Sequence, residues 1–202
     1  MAAKRDPEDK IIDAALKLAA SRGWSGLSLA DIAKSARVGL PVLSGLFASK
    51  SEILAAFSRR IDAAVLKAAS VEDLSGEEAR DRLFDVLMMR FDALAPHKPA
   101  LKNITRDLRR DPVAAAGMVR PMLQSLGWML EAAGIDSSGF GGGLRVRGVA
   151  LVWGAAFGVW LEDGDDQAKT MAELDRRLRG GEAFLERLQS FGRRGRAVEA
   201  AV

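Results

Sequence analysis

The chain of 202 residues has no cysteine and a single histidine, His97. Without cysteine there is no disulfide framework, no thiolate metal site and no cysteine nucleophile. One imidazole leaves little for transition-metal binding or for general acid–base catalysis. No nucleophile–base pair or metal constellation can be assembled from the residue types present, so the expectation is no enzyme, no metal and no cofactor. Strand signals are nearly missing as well: no alternating run rich in β-branched residues occurs, and no hairpin turn between such runs. The longest stretch without a charge, residues 148–161, is shorter than the roughly 20 residues a membrane span needs. The N-terminal MAAKRDPEDK has no apolar core behind its charges, which points away from a secretory signal and toward the cytoplasm.

With 49% apolar and 28% charged residues, the chain suits a soluble globular protein with a sizeable core. Its net charge of +3 is unevenly placed. Residues 1–60 hold ten Lys and Arg against six Asp and Glu, whereas residues 61–202 hold twenty against twenty-one. An N-terminal excess of positive charge suits either an anionic partner such as nucleic acid or a solvated face.

The periodic segments are all helical. The first opens at Asp6-Pro7, with Asp6 as cap and Pro7 in the first turn. It sets Ile11, Ala15, Leu18 and Ala19 on one face and stops at Gly23. Ser28 with Asp31 forms a capping arrangement for a short helix carrying Ile32 and Ala33. Arg37-Val38-Gly39 reads as a turn, and a second short helix follows over Leu40 to Leu46, with Pro41 tolerable in its first turn. Two short helices joined by a tight turn behind a longer one make a helix-turn-helix pattern.

An amphipathic segment from Ser51 to about Ala69 comes next, with Ile53, Leu54, Phe57, Ile61 and Val65 inward. Ser75 and Glu78 form a capping box for a helix with Leu83, Val86, Leu87 and Phe91, ended by Pro96. His97 falls in an exposed loop. A basic helix spans Lys98 to Arg110, where Arg106, Arg109 and Arg110 read as a solvated face. A further helix from Asp111-Pro112 to Gly134 carries Met118, Met122, Leu126 and Leu130. The glycine-rich stretch Asp136 to Gly143 reads as a flexible linker. The charge-free helix 148–161 must be buried by protein, either as an internal core helix or as half of a dimer interface. Asp163, Asp165 and Asp166 read as caps for a last helix with Met171, Leu174, Leu178, Phe184 and Leu188. The residues from Arg193 onward read as a frayed tail.

The segment Gly23-x4-Ser28-x3-Ile32-Ala33-x2-Ala36-x-Val38, continued by Leu43-x3-Phe47-x-Ser49-Lys50-x3-Leu54, resembles the DNA-binding domain of the tetracycline-repressor (TetR) family of transcriptional regulators. The resemblance implies an all-α fold: a three-helix helix-turn-helix domain at 1–50, a ligand-binding and dimerisation bundle of about five to six helices at 51–192, and a flexible tail at 193–202. It implies that the second short helix enters the major groove of a double-stranded operator. Ser28 and Lys50 would then touch the phosphate backbone, and Leu40, Pro41, Val42 and Ser44 would face the groove. Lys34 and Arg37 are additional phosphate contacts by charge and position. The chain departs from the family pattern at Arg37 (usually Gly), Gly39 (Ser or Thr), Ser44 (Tyr) and Leu46 (His or Tyr). A recognition helix without Arg, Asn or Gln is poorly equipped for hydrogen-bonded base readout, leaving methyl contacts to thymine and shape readout.

The run Trp160-Leu-Glu-Asp163-Gly-Asp165-Asp-x3-Thr170-x3-Leu174-Asp-Arg-Arg-Leu178 is similar to the C-terminal segment of ubiquinone-biosynthesis accessory proteins, which have a TetR-like fold. That resemblance implies the alternative of a lipid-binding protein that no longer binds DNA. Both families enclose an apolar cavity among the C-terminal helices. Met88, Met89, Phe91, Met122, Trp128, Trp153, Phe157 and Trp160 are candidates to line it around a small apolar or lipid-like ligand, or else they are plain core. The TetR resemblance further implies a homodimer in which helix 148–161 and the last helix pair with their symmetry mates.

Overall fold

The computed structural model describes residues 6–69 and 78–181. The expectations for Ser75, Phe184, Leu188 and the 193–202 tail fall outside the described residues. All regular structure among the described residues is helical. The order is α1 (Pro7–Arg22), α2 (Leu29–Ala36), α3 (Leu40–Leu46), α4 (Lys50–Ala68), α5 (Ala79–Leu94), α6 (Lys98–Leu108), α7 (Pro112–Ala132) and α8 (Gly139–Trp160). A further helical stretch, α9, runs over 168–181.

The N-terminal caps follow from the sequence. Asp6 accepts from the Glu8 amide ahead of Pro7, and α1 ends where Gly23 takes a φ of 82°. Ser28 and Asp31 close a reciprocal capping box on α2, with Asp doing what Glu usually does. Ser49 caps α4 by accepting from the Glu52 amide, and Asp111 caps α7 through the Ala114 amide. Ile11, Ala15 and Ala19 of α1 meet Ile32, Leu43, Phe47 and Ile53 in one buried cluster. α1 also packs against α6, while α4 packs against α5 and α7. The N-terminal helices therefore rest directly on the C-terminal body, with α4 running continuously between them.

α2 ends in a Schellman-type turn: the Val38 amide donates to the Ala33 carbonyl and the Arg37 amide to that of Lys34. Arg37 occupies the left-handed position of this turn, with φ 55° and ψ 42°. A side chain there is strained, which is the reason glycine suits the position. Arg37→Gly is expected to raise unfolding stability by about 1 kcal/mol, read as a higher denaturant midpoint. The same change should weaken any DNA binding, because it removes an exposed cation.

The glycine run 139–143 is not a linker. α8 begins at Gly139 and absorbs it, nine residues ahead of the charge-free stretch that starts at Gly148. The turn before it is pinned: the Ser137 amide and hydroxyl donate to Glu131, the Ser138 amide donates to Asp136, and Arg145 donates to the Asp136 carbonyl. Gly142 is buried where a Cβ would overlap the carbonyl group of Ser137. Glycine here serves close approach of two backbones rather than flexibility. Gly142→Ala should cost on the order of 1–3 kcal/mol as overpacking. Gly148→Ala, on the same helix with nothing near its Cβ, should be neutral or stabilising by up to about 1 kcal/mol. Paired thermal melts distinguish the two.

α8 is buried along Gly142, Val149, Trp153, Ala156 and Trp160 only. Its opposite face leaves Phe140, Leu144 and Leu151 at 94%, 54% and 78% exposure. The acidic break after it caps α9, as its sequence suggests: the Asp163 carboxylate accepts from both the amide and the hydroxyl of Thr170.

Candidate nucleic-acid interface and C-terminal cleft

α3 stands on the surface of the N-terminal domain with one side chain, Leu43, driven into the core. Leu40, Val42 and Leu46 are 51%, 46% and 42% exposed, and Pro41 and Ser44 are exposed beside them. The Ser44 hydroxyl donates to the Pro41 carbonyl at 3.1 Å. Gly39 precedes the helix and provides no side-chain cap. The exposed face of α3 is thus apolar, with its single hydroxyl turned onto its own backbone. Lys34 and Arg37, both exposed, sit immediately before it on α2 and the turn.

Two of the residues expected at phosphates have internal partners. Ser28 is occupied as the α2 cap, its hydroxyl bonded to Asp31. Lys50 sends its Nζ to the Trp24 carbonyl at 2.9 Å and over the Trp24 ring at 5.2 Å. Burial pulls the Lys50 ammonium below its ordinary pKa, while Asp107 and Asp111 pull it back up.

The loop that Lys50 holds is also held from α6. The Asp107 carboxylate accepts from the Trp24 amide at 2.7 Å and from the Ser25 amide at 2.9 Å. These amides, Ser25 first and Trp24 second, lower the pKa of Asp107 to about 2. One helical turn earlier, Asn103 donates to the carbonyls of Ala19 and Ala20 at the end of α1. Sequence reasoning missed this clamp, although Asp107 continues the spacing of Ala100 and Ile104, the other buried residues of α6. A charged residue in phase with an apolar face is the signal that marks it.

His97 lies in a short 3-10 turn, half-buried, rather than in an exposed loop. Its ring meets Phe57 edge-on, with centroids 5.0 Å apart. Burial, then the Arg60 charge, push its pKa below 6.5, against a smaller opposite pull from Asp13. The unfolded chain therefore binds the proton more readily than the folded one. Stability is full above about pH 6.5 and falls as the pH drops from there toward the folded pKa. His97→Phe should remove that part of the acid-induced loss of Tm between pH 7 and 5.

In the C-terminal body, Phe91 stacks on Trp153 at 4.4 Å, and Trp153, Phe157 and Trp160 continue the stack along α8. Phe91 and Trp153 are fully packed, and Phe157, Met88, Met89 and Met122 are half-buried against the same core. Trp128 is separate, 56% exposed on α7. It lines a cleft of about 800 Å³ between α4, α7 and α8, together with Ser58, Asp62, Pro121, Ser125 and Val146. Of the expected ligand residues, Trp128 alone borders this cleft.

The floor of the cleft is polar. Arg90 of α5 pairs through Nη1 with Asp62 of α4, both nearly inaccessible. Ser125 of α7 donates to the same Asp62 oxygen at 2.7 Å, and Arg90 Nη2 donates to Ser58 at 3.2 Å. Arg90 also lies over the Trp153 ring at 5.1 Å. Three helices and the aromatic stack meet at this pair. Asp62 neighbours Ile61 on the apolar face of α4, and Arg90 falls between Leu87 and Phe91 on that of α5.

Residues 11–57 match the family model described as bacterial regulatory proteins, tetR family. No curated protein sequence matches the chain. Among solved structures, a TetR transcriptional regulator from Nitrosomonas europaea ATCC 19718 is 24% identical with a TM-score of 0.66, over 88% of this chain and 98% of that one. A TetR regulator from Rhodococcus sp. RHA1 is 19% identical with a TM-score of 0.64, over 87% and 94%. Thermus thermophilus FadR, a TetR-family repressor solved with lauroyl-CoA, is 20% identical with a TM-score of 0.52, over 88% and 92%. Residues 11–57 thus match the tetR-family model, and the chain has the all-helical fold of solved TetR transcriptional regulators.

Proposed function

We propose that this protein is a cytoplasmic homodimer that binds an operator through α2 and α3 and is controlled by a small amphipathic ligand among its C-terminal helices. The observation that carries the reading is α3 itself, held from beneath by Leu43, open on its outer face, and preceded by the exposed Lys34 and Arg37. Lys34 and Arg37 supply phosphate attraction, and a helix fits the major groove. The boundary near residue 50 separates reading from sensing, with α4 and the Asp107 clamp on α6 as the links between them. The exposed apolar face of α8 suits a second copy of the chain, whose twofold axis would match a palindromic site. Binding of a ligand in the C-terminal body shifts the spacing of the two reading helices only if the ligand prefers one spacing. FadR is a precedent for an acyl-CoA in this fold. Among the described residues no single helix is long and apolar enough to cross a membrane.

A mobility-shift titration on the DNA flanking the protein's own gene, across a salt series, tests the reading. A specific shift that weakens with salt is expected, and no specific shift at low salt refutes it. The exposed leucines of α3 favour one alternative, a lipid-binding protein of quinone metabolism that has lost operator binding. Native mass spectrometry of the purified protein separates them: a co-purifying isoprenoid lipid together with absent DNA binding selects the alternative.

A further inference from the structure

We propose that α3 selects its DNA site through the C5-methyl groups of thymine, with Leu40, Val42 and Leu46 as the residues that set specificity. The inference rests on the operator-binding reading above and adds the class of sequence that is read. An α3 of seven residues presents about two turns to the groove. Every side chain it exposes is apolar except Ser44, and the Ser44 hydroxyl is bonded to Pro41. Bidentate readout of guanine needs Arg or Lys and that of adenine needs Asn or Gln. None of these residues occurs between Leu40 and Leu46.

An apolar surface in the major groove is not neutral toward sequence. The floor of the groove carries the O6 and N7 acceptors of guanine and the N4 donor of cytosine. A leucine laid over those atoms strips their water and gives no hydrogen bond in return. Over a thymine the same leucine meets a methyl group and both lose apolar surface to water. Selection therefore works in two ways, toward thymine and against G·C pairs. The flanking charge fits this division of labour, since Lys34 and Arg37 lie outside α3 and engage phosphates whatever the sequence. Leu43 takes no part because it is buried.

Duplexes selected by the purified protein from a random library at low salt give the probe. The selected half-site should carry a run of thymines beneath α3. Replacing those thymines with deoxyuridine removes the methyls and leaves the pairing unchanged. Affinity should fall roughly fourfold for each methyl lost, the equivalent of one buried CH₂. Leu40→Ala and Val42→Ala, at exposed positions that leave the core alone, should lower affinity for the thymine duplex and shrink its advantage over the deoxyuridine duplex. Lys34→Ala should weaken both duplexes by the same factor. If selected duplexes bind specifically and deoxyuridine changes nothing, the methyl readout is wrong and operator binding stands. If no duplex is enriched, operator binding itself fails, and the methyl readout with it.

Discussion

Arg90→Met is expected to destabilise the protein by roughly 3–5 kcal/mol, because it leaves a buried carboxylate without its counter-ion. Asp62 is held on one oxygen by Arg90 and by Ser125, at the meeting point of α4, α5 and α7. Ser125 alone cannot compensate a buried charge. A protein of this size has on the order of 5–15 kcal/mol of stability to lose, so the single variant should unfold at a much lower denaturant concentration. The double variant Arg90→Met, Asp62→Leu removes both charges together and should recover most of the loss. The cycle of four proteins gives the coupling directly. Equal, additive losses would show that the pair contributes nothing as a pair. Asp62 also lines the cleft beside Trp128, so the recovered double variant also shows whether ligand binding depends on its carboxylate.

Asp107→Ala has the second largest expected effect. It leaves the amides of Trp24 and Ser25 without an acceptor, at about 1–3 kcal/mol for each donor that stays buried. Trp24 is buried and Ser25 exposed, which sets the total at roughly 2–3 kcal/mol. Asp107→Asn keeps an oxygen in place and should cost about 1 kcal/mol, the part due to charge. The two substitutions also differ in pH dependence. The folded pKa of about 2 lies below the ordinary carboxylate value of 3.8, so the contribution of Asp107 is complete above about pH 4. It is lost as the pH falls through about 2. Asp107→Asn should flatten that segment of the acid-unfolding curve. Because the clamp joins α6 to the loop before α2, hydrogen exchange of Trp24 and Ser25 should rise in Asp107→Ala ahead of exchange in the α7 core.

Local rules were enough for the helix-turn-helix. Asp6, Ser28 and Asp111 are caps that act within four residues, so spacing alone locates the starts of α1, α2 and α7; α4 starts at Lys50 under a Ser49 cap, one residue before the Ser51 start that its apolar pattern suggests. The strained Arg37 was visible too, as a cation at a position where the family pattern has glycine. Long-range packing was not legible in the same way. The 139–143 glycines look like a linker until the backbone of Ser137 is placed against Gly142, a contact that composition does not encode. Asp62, Arg90 and Asp107 sit in phase with apolar faces, and an apolar template passes over them. The aromatic and methionine residues lie in the C-terminal body, where Phe91 stacks on Trp153. Of these candidates Trp128 borders the described cleft, beside α4 and its polar residues Ser58 and Asp62.

Operator binding is tested most directly by the salt dependence of DNA affinity for the wild type and for the double variant Lys34→Ala, Arg37→Ala, measured by fluorescence anisotropy on a selected duplex. Each phosphate contact contributes about 0.9 to the slope of log K against log salt. The wild-type slope should fall by about 1.8 in the double variant, with circular dichroism unchanged. An unchanged slope, or a wild-type affinity that is the same for selected and scrambled duplexes, would contradict operator binding.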